Sequence, residues 1–412
     1  MPPPSDGART RILFVTHSMV LGGAPRSLDL LVRGLDHDRF ECVIACIHPT
    51  PEVMEFHLRS GVQVIAAPGI GEFPHTTGGW LRFWNPRHLI ALTRSILRYR
   101  SSVAATLRLI EEVRPDIVHL NSVILAAAAE ASRRSRTPLV WHIRESVVRG
   151  HLGLRRRWLR RKVQTLPDAA IFLSQDDMDR LGPRSPNWHV VPNWTPFDVG
   201  NPDRDGARQR LAIPQEARVI LFMGGYNRMK GTDVLLRAMP LVRRDVPEAT
   251  CLIVAVEPPS PRAAARVARA VLPFFGIRSD IQECERLLSA GGPVITLPFL
   301  SDTSDIFAAA DVLAFPAREP HFARPVVEAF AHHLPVVASD LGPMREITEE
   351  GVLGILVTPG RPDELADGLI RALSGDESVA AMTEQAFPAG LRRFSPEAGR
   401  VAIERIYAEV LA

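Results

Sequence analysis

No run of eighteen apolar residues occurs in the 412-residue chain, so no membrane-spanning helix is expected. Cysteine is scarce: Cys42, Cys46, Cys251 and Cys284 include no C-x-x-C pair, which argues against a zinc ribbon or a dithiol redox site. Cys42 and Cys46 share one face of the strand-like run ECVIACI with His48 next along it, and buried free thiols are the expected reading. The serine-elbow pattern G-x-S-x-G is missing, which disfavours a Ser/His/Asp hydrolase. So is G-x-G-x-x-G, the fingerprint of a nicotinamide site. The start, MPPPSDGARTR, lacks the charged-then-apolar order of a secretory leader, so residues 1–10 read as a disordered lead-in and cytoplasmic residence is expected. Neither an internal repeat nor a low-complexity tract is visible.

Charge is nearly balanced at +3 but unevenly placed. Arg149–Lys162, RGHLGLRRRWLRRK, holds seven basic residues and no acid. Arg87, Arg94, Arg98 and Arg100 add a second basic stretch within Arg82–Arg108. Such segments suit nucleic acid, an anionic membrane surface, or a solvated helix face. Trp158 and Leu159, set among Arg155, Arg156, Arg157, Arg160, Arg161 and Lys162, keep the membrane option open.

What the chain has in abundance is alternation. Apolar strand-like runs and helical patterns succeed one another almost throughout, which predicts an α/β architecture with parallel sheets. RILFVTH, ECVIACI, VQVIAA, DIVHL, PLVWHI and AAIFLS form a first series, with helices such as Pro25–Leu35 and Ser101–Glu112 between them. WHVVPNWTPFDVGNPDRDGARQR, rich in turn formers, reads as a linker. RVILFMGG, TCLIVAV, PVITLPF, DVLAFPA, PVVAS and GILVT form a second series. The stretch from Pro258 to Gly292 is long for one crossover and predicts two helices around Pro273–Ser279. FSPEAGRVAIERIYAEVLA predicts a terminal amphipathic helix opened by Ser395.

Four segments carry chemistry. Gly22 and Gly23 follow the strand RILFVTH at a strand-to-helix turn, where missing side chains let backbone approach a ligand. GGYNRMKGTDVLL, beginning at Gly224, sets Lys230 before a helix start, so an ammonium and backbone amides can meet a diphosphate. In FARPVVEAFAHHLPVVASD, Pro325 opens a helix whose N-terminus favours a phosphate, and Glu328 one turn in can accept hydrogen bonds from sugar hydroxyls. His119 and Asn121, then His142, Arg144 and Glu145, stand at the ends of apolar strands, where α/β folds place ligand contacts. A structural histidine is an equal reading for His119 and His142. Asp177 and Asp179 form D-x-D at a helix start, where acids are favoured without any metal.

The Pro325 segment resembles FGxPxxEAxAxxxPVVxSD, the donor-site pattern of retaining GT-B glycosyltransferases of family four, and the likeness extends from Arg11 to Leu411. It implies two Rossmann-like domains, 11–196 and 197–392, facing across a cleft, with residues 393–412 crossing back to the first. It implies transfer of a sugar from a nucleotide diphosphate sugar to an acceptor hydroxyl with retention, no metal cofactor, and a glycan or lipid-linked acceptor at the cytoplasmic membrane face; nucleic acid is not an expected partner. Lys230, Gly22 and Gly23 match family donor contacts, and Glu328 the glutamate that holds ribose. Several positions depart from the family. Gly225 stands where it has arginine, with Arg228 as a substitute cation; Ala323 replaces a glycine, with amides of Ala323 and Arg324 facing phosphate. Pro320 occupies the first glutamate position, leaving Glu319 one residue back for the sugar. Asn121 replaces a histidine, Arg144-Glu145 replaces His-Asp, and in VVPNW Asn193 is kept while Trp194 replaces glycine. Lys230, Glu319 and His119 are the catalytic candidates. A non-catalytic scaffold of the same fold and a different GT-B enzyme, such as a sugar-nucleotide epimerase, are the rival functions.

Overall fold

The computed structural model describes residues 9–19, 21–73, 86–148, 153–200, 203–256 and 280–412. The chain divides into two units, Met1–Trp194 with Arg393–Ala412, and Thr195–Arg392.

The first unit is built on seven strands: β1 (Thr10–Thr16), β2 (Phe40–Cys46), β3 (Gln63–Ala66), β4 (Ile117–Leu120), β5 (Leu139–Ile143), β6 (Ala169–Phe172) and β7 (Trp188–Val190). They lie in the order β3-β2-β1-β4-β5-β6-β7 with every pair parallel. A parallel sheet is covered on both faces, which is why its strands are continuous apolar runs rather than alternating ones. Leu13, Val15, Val118 and Trp141 enter one core layer; Ile12, Phe14, Ile117 and Val140 enter the other. The second layer is completed by Ile403, Ile406 and Tyr407 from the terminal helix Pro396–Leu411. Ser395 Oγ accepts from the Ala398 amide at 3.3 Å, so a serine cap opens this helix without a capping-box glutamate. Strand order reverses between β1 and β4, the switch point at whose carboxyl ends such sheets bind ligands.

The second unit repeats the plan with β8 (Arg218–Phe222), β9 (Ala249–Val254), β10 (Val294–Leu297), β11 (Val312–Phe315), β12 (Val336–Ser339) and β13 (Ile355–Val357). Their order, β10-β9-β8-β11-β12-β13, reverses between β8 and β11. Helices Thr232–Asp245 and Pro362–Leu373 bury Leu235, Met239, Leu365 and Leu369 against the sheet.

Several expectations change. The segment read wholly as linker contains β7 and the helix Arg204–Arg210, which Asp203 caps by accepting from the Gly206 amide. Of the two helices expected around Pro273–Ser279, the second is Asp280–Gly291, while the place of the first falls outside the described residues, as do residues 1–8 of the lead-in. All four cysteines are buried free thiols; burial pushes Cys42 up to about 12 and Cys46 to about 11. Residues 82–85 and 149–152 of the basic stretches also lie outside the described residues. In the helix Leu154–Thr165, Leu159 is fully buried and Trp158 packs 4.3 Å from the Phe73 ring. Lys162 Nζ meets Glu130 at 2.6 Å. Trp158 and Leu159, which left a lipid contact open beside a solvated helix face, thus pack toward the protein core: the strip is a basic helix face over a packed one. Among the described residues, no helix is long and apolar enough to cross a membrane.

Candidate functional site

In the second unit, the loop after β8 is shaped by three glycines. A Cβ on Gly224 would collide with the Phe222 ring, and one on Gly225, at φ +56°, with the Ala255 carbonyl oxygen. Gly231, at φ +82°, lies against the Pro316 carbonyl. Between them a 3₁₀ turn, Arg228–Lys230, is pinned from both sides. Asn227 Oδ1 accepts from the Met229 amide at 2.9 Å, and Thr232 Oγ1 donates to the Gly225 carbonyl at 2.7 Å. From the loop after β11, the Arg318 amide donates to the Met229 carbonyl at 2.8 Å. Its guanidinium forks onto Asp233 at 3.2 and 2.6 Å. The two loops at the switch point are therefore one braced platform.

Lys230 stands on that platform. Burial, then the neighbouring Arg324 charge, hold its ammonium below the ordinary lysine range. Arg324 opens the helix Arg324–Ala331, which has Pro325 in its first turn, no acid there, and no side-chain cap at Ala323. His321, in the connecting loop, is pulled down to about 4 by burial, against a backbone hydrogen bond to the Glu319 carbonyl, with Lys230 adding to the fall. Its Nδ1 donates to that carbonyl at 2.9 Å. Two cations thus converge on the N-terminus of an eight-residue helix. Glu328, one turn in and 3% exposed, faces Arg324 Nε at 3.4 Å. Such an arrangement stabilises a bound dianion while leaving a carboxylate for hydroxyl groups. Arg228, the expected substitute cation, is exposed, and the charge felt by Lys230 is that of Arg324. The sequence singled out the amides of Ala323 and Arg324 but missed the guanidinium. Glu319 is half-buried in the loop before the helix.

In the first unit, β1, β4 and β5 bring together the other candidates. His119 is fully buried with both nitrogens engaged: Nδ1 meets Tyr407 Oη at 2.7 Å and Nε2 meets His142 Nδ1 at 3.3 Å. The expected catalytic candidate is thus enclosed, and its polar contacts run through Tyr407 and His142. Burial and the Arg144 charge hold both imidazoles neutral, well below their usual range. Arg144 Nε donates to Asn121 Oδ1, and Nη1 to Asn193 Oδ1 at 2.5 Å. Glu145, expected on the sugar or acceptor side, instead accepts from Ser122 Oγ and, at 2.9 Å, from the Val123 amide, fastening two strand-end loops together. Asp177 of the D-x-D is likewise structural: it is buried and accepts from Ser146 and Ser174 hydroxyls. Among the described residues no cluster of potential metal ligands occurs. Gly22 and Gly23 border open space at the uncapped start of the helix Gly23–Gly34. Tyr407 was not singled out in the sequence, since it lies 288 residues from its partner.

Comparison with known proteins adds to this geometry. Residues 22–194 match the family model of the glycosyl transferase 4-like domain, and residues 217–375 that of glycosyl transferases group 1. Similar curated proteins include the D-inositol 3-phosphate glycosyltransferase of Corynebacterium jeikeium, 30% identical over 54% of this chain and 51% of that one. The protein of that name from Thermobispora bispora is 30% identical over 50% of this chain and 46% of its own. The chain spans about half the length of the curated relatives it matches. Among solved structures, Anabaena HepE in complex with UDP and glucose has a TM-score of 0.75 at 22% identity, covering 97% of this chain and 100% of its own. Sucrose-phosphate synthase of Thermosynechococcus elongatus has a TM-score of 0.71 at 17% identity, covering 98% and 99%. At these identities the structural likeness concerns the fold.

Proposed function

Because the chain belongs to the family-four-like glycosyltransferases of the GT-B fold, we propose that it transfers a sugar from a nucleotide diphosphate sugar to an acceptor hydroxyl with retention of anomeric configuration. The observation that carries this reading is the pairing of Lys230 with Arg324 at the uncapped start of the helix Arg324–Ala331. When the bond between the anomeric carbon and the diphosphate oxygen breaks, negative charge grows on the leaving diphosphate. Two cations and a helix N-terminus fixed in advance stabilise that charge without reorganising, and such preorganised electrostatics is usually what lowers an enzyme's barrier most. Glu328 takes the donor's ribose hydroxyls, and Glu319 the transferred sugar. Gly22 and Gly23 leave open space for a ligand's approach, while Asn121, His142 and Arg144 serve the acceptor or sugar side. The acceptor oxygen attacks from the face the diphosphate leaves, its proton passing to a diphosphate oxygen, so no protein nucleophile is needed. With the positive charge supplied by side chains, the reaction is metal-independent. The sugar nucleotide reading is supported by the bound UDP and glucose of the HepE relative.

Replacing Lys230 tests the assignment. Lys230→Ala lowers kcat/KM by about 100-fold, roughly 2.7 kcal/mol of lost charge stabilisation. Arg228→Ala, at an exposed position, costs no more than about fivefold. Steady-state kinetics with sugar nucleotides read both, and equal losses in the two variants would move the second cation from Arg324 to Arg228.

A further inference from the structure

Along one face of the first sheet, three strands pass from apolar to polar toward their carboxyl ends. The rows are Ile12–Phe14–Thr16, Ile117–His119–Asn121 and Val140–His142–Arg144, at the two-residue spacing that keeps side chains on one face. The leading residues pack beneath the terminal helix. Near the far end are buried polar atoms that meet no partner among the described residues: Thr16 Oγ1, Asn121 Nδ2 and His142 Nε2, in residues at most 1% exposed. Buried donors are rarely left unpaired in a native protein, so such a cluster marks a place where a ligand completes the bonding.

The hydrogen-bond chain behind these atoms has a direction. Tyr407 is fully buried, and among the described residues its hydroxyl meets only His119 Nδ1. If Nδ1 carried the proton, the tyrosine O–H would be an orphaned buried donor, which costs more than an idle lone pair. Tyr407 therefore donates to Nδ1. His119, neutral, then carries its proton on Nε2 and donates to His142 Nδ1. His142 is left with its own proton on Nε2, the unpartnered nitrogen, as an outward donor. Asn121 behaves alike, because its Oδ1 is occupied by Arg144 Nε and only Nδ2–H remains to offer.

Arg144 completes the set. Its two side-chain partners are the neutral amide oxygens of Asn121 and Asn193, and among the described residues no carboxylate stands within ion-pair distance of it. Glu145, its neighbour in sequence, has its oxygens turned to Ser122 and Val123. A half-buried guanidinium whose hydrogen-bond partners are neutral amide oxygens, with the Glu145 charge acting on it only from beyond ion-pair distance, stands beside two donors without a protein partner and matches an oxyanion.

We propose that this polar cluster binds an oxyanion, a phosphate or a carboxylate, on the molecule the first unit recognises, with Tyr407 and His119 as positioning residues that fix His142 as a donor. Resting on the glycosyl-transfer reading, this makes the anion an acidic group on the acceptor.

Calorimetry on the full chain tests it. Inorganic phosphate is titrated into protein saturated with UDP, which occupies the second unit's diphosphate site. Phosphate binding falls about 30-fold in Arg144→Gln. Arg144→Lys, which keeps the charge but not the fork, falls less. Tyr407→Phe weakens phosphate binding by about fivefold through the lost O–H donor, with UDP affinity unchanged. Wild-type protein that binds UDP but no phosphate, or variants that lose only thermal stability, would overturn the proposal. Failure to bind any nucleotide would count against the glycosyl-transfer reading instead, and phosphate titrated into the nucleotide-free protein still decides for the cluster.

Discussion

Gly225 stands where the family pattern has arginine, and its backbone accounts for the exchange. At φ +56° with the Ala255 carbonyl against its α-carbon, the position has no room for a side chain. Gly225→Arg is accordingly expected to lose about 3 kcal/mol of stability, from left-handed backbone strain plus displacement of the β9 end. Denaturant unfolding measures it, and a variant as stable as wild type would show that the loop yields freely. What the sequence revealed at this scale was local. Lys230 could be recognised because glycines and a strand end lie just before it and Gly231 follows, and Glu328 because Pro325 marks the helix start one turn before it. The guanidinium of Arg324 and the Tyr407–His119–His142 chain were not legible, since both depend on which distant strand or helix the fold sets alongside. Glu145 looked like a ligand contact for the same reason: nothing in Arg144-Glu145 says that one side chain braces a loop while the other stays open.

The terminal helix, as an element, is where sequence and packing disagree most informatively. Glycine inside a helix is ordinarily worth replacing with alanine, which gains about 1 kcal/mol of propensity. Gly399 in Pro396–Leu411 is an exception, because a Cβ there would run into the Trp194 ring. Tryptophan at the end of VVPNW, in place of the family's glycine, is thus matched by a glycine on the helix that covers it. Gly399→Ala is expected to lower stability by about 2 kcal/mol despite its better propensity. Thermal unfolding checks the sign, and a raised midpoint would mean that Trp194 can swing away. All the described strands but β7 were legible from apolar runs bounded by turn residues. β7 was not, because three residues at a sheet edge among prolines and asparagines carry too little periodic signal. The long helix Pro86–Val113 was read only in part, as its first half presents exposed arginines rather than a clear apolar stripe.

For the molecule as a whole, neutral buried histidines set the acid limit. His57 is fully buried with neither ring nitrogen partnered, and burial lowers it from 6.5 to about 4. Between those values the unfolded chain binds a proton that the folded chain refuses, so stability is lost as pH falls from 6.5 toward 4. This single site contributes about 3 kcal/mol of that loss. The thermal midpoint should therefore drop across this interval, and His57→Phe should flatten the profile; a wild-type midpoint constant from pH 6.5 to 4.5 would contradict it. The doubled α/β plan was the most legible feature at this scale, because two series of apolar strands with helices between them admit few other architectures. The chemistry follows less directly from the plan, and one measurement bears on it most. Proton NMR of the transfer product, formed from an α-linked sugar nucleotide in the presence of EDTA, reads turnover, stereochemistry and metal dependence together. Metal-free transfer with retention predicts an α-linked product and release of the nucleoside diphosphate. A β-linked product, no reaction until a divalent metal is restored, or tight donor binding without turnover would contradict it.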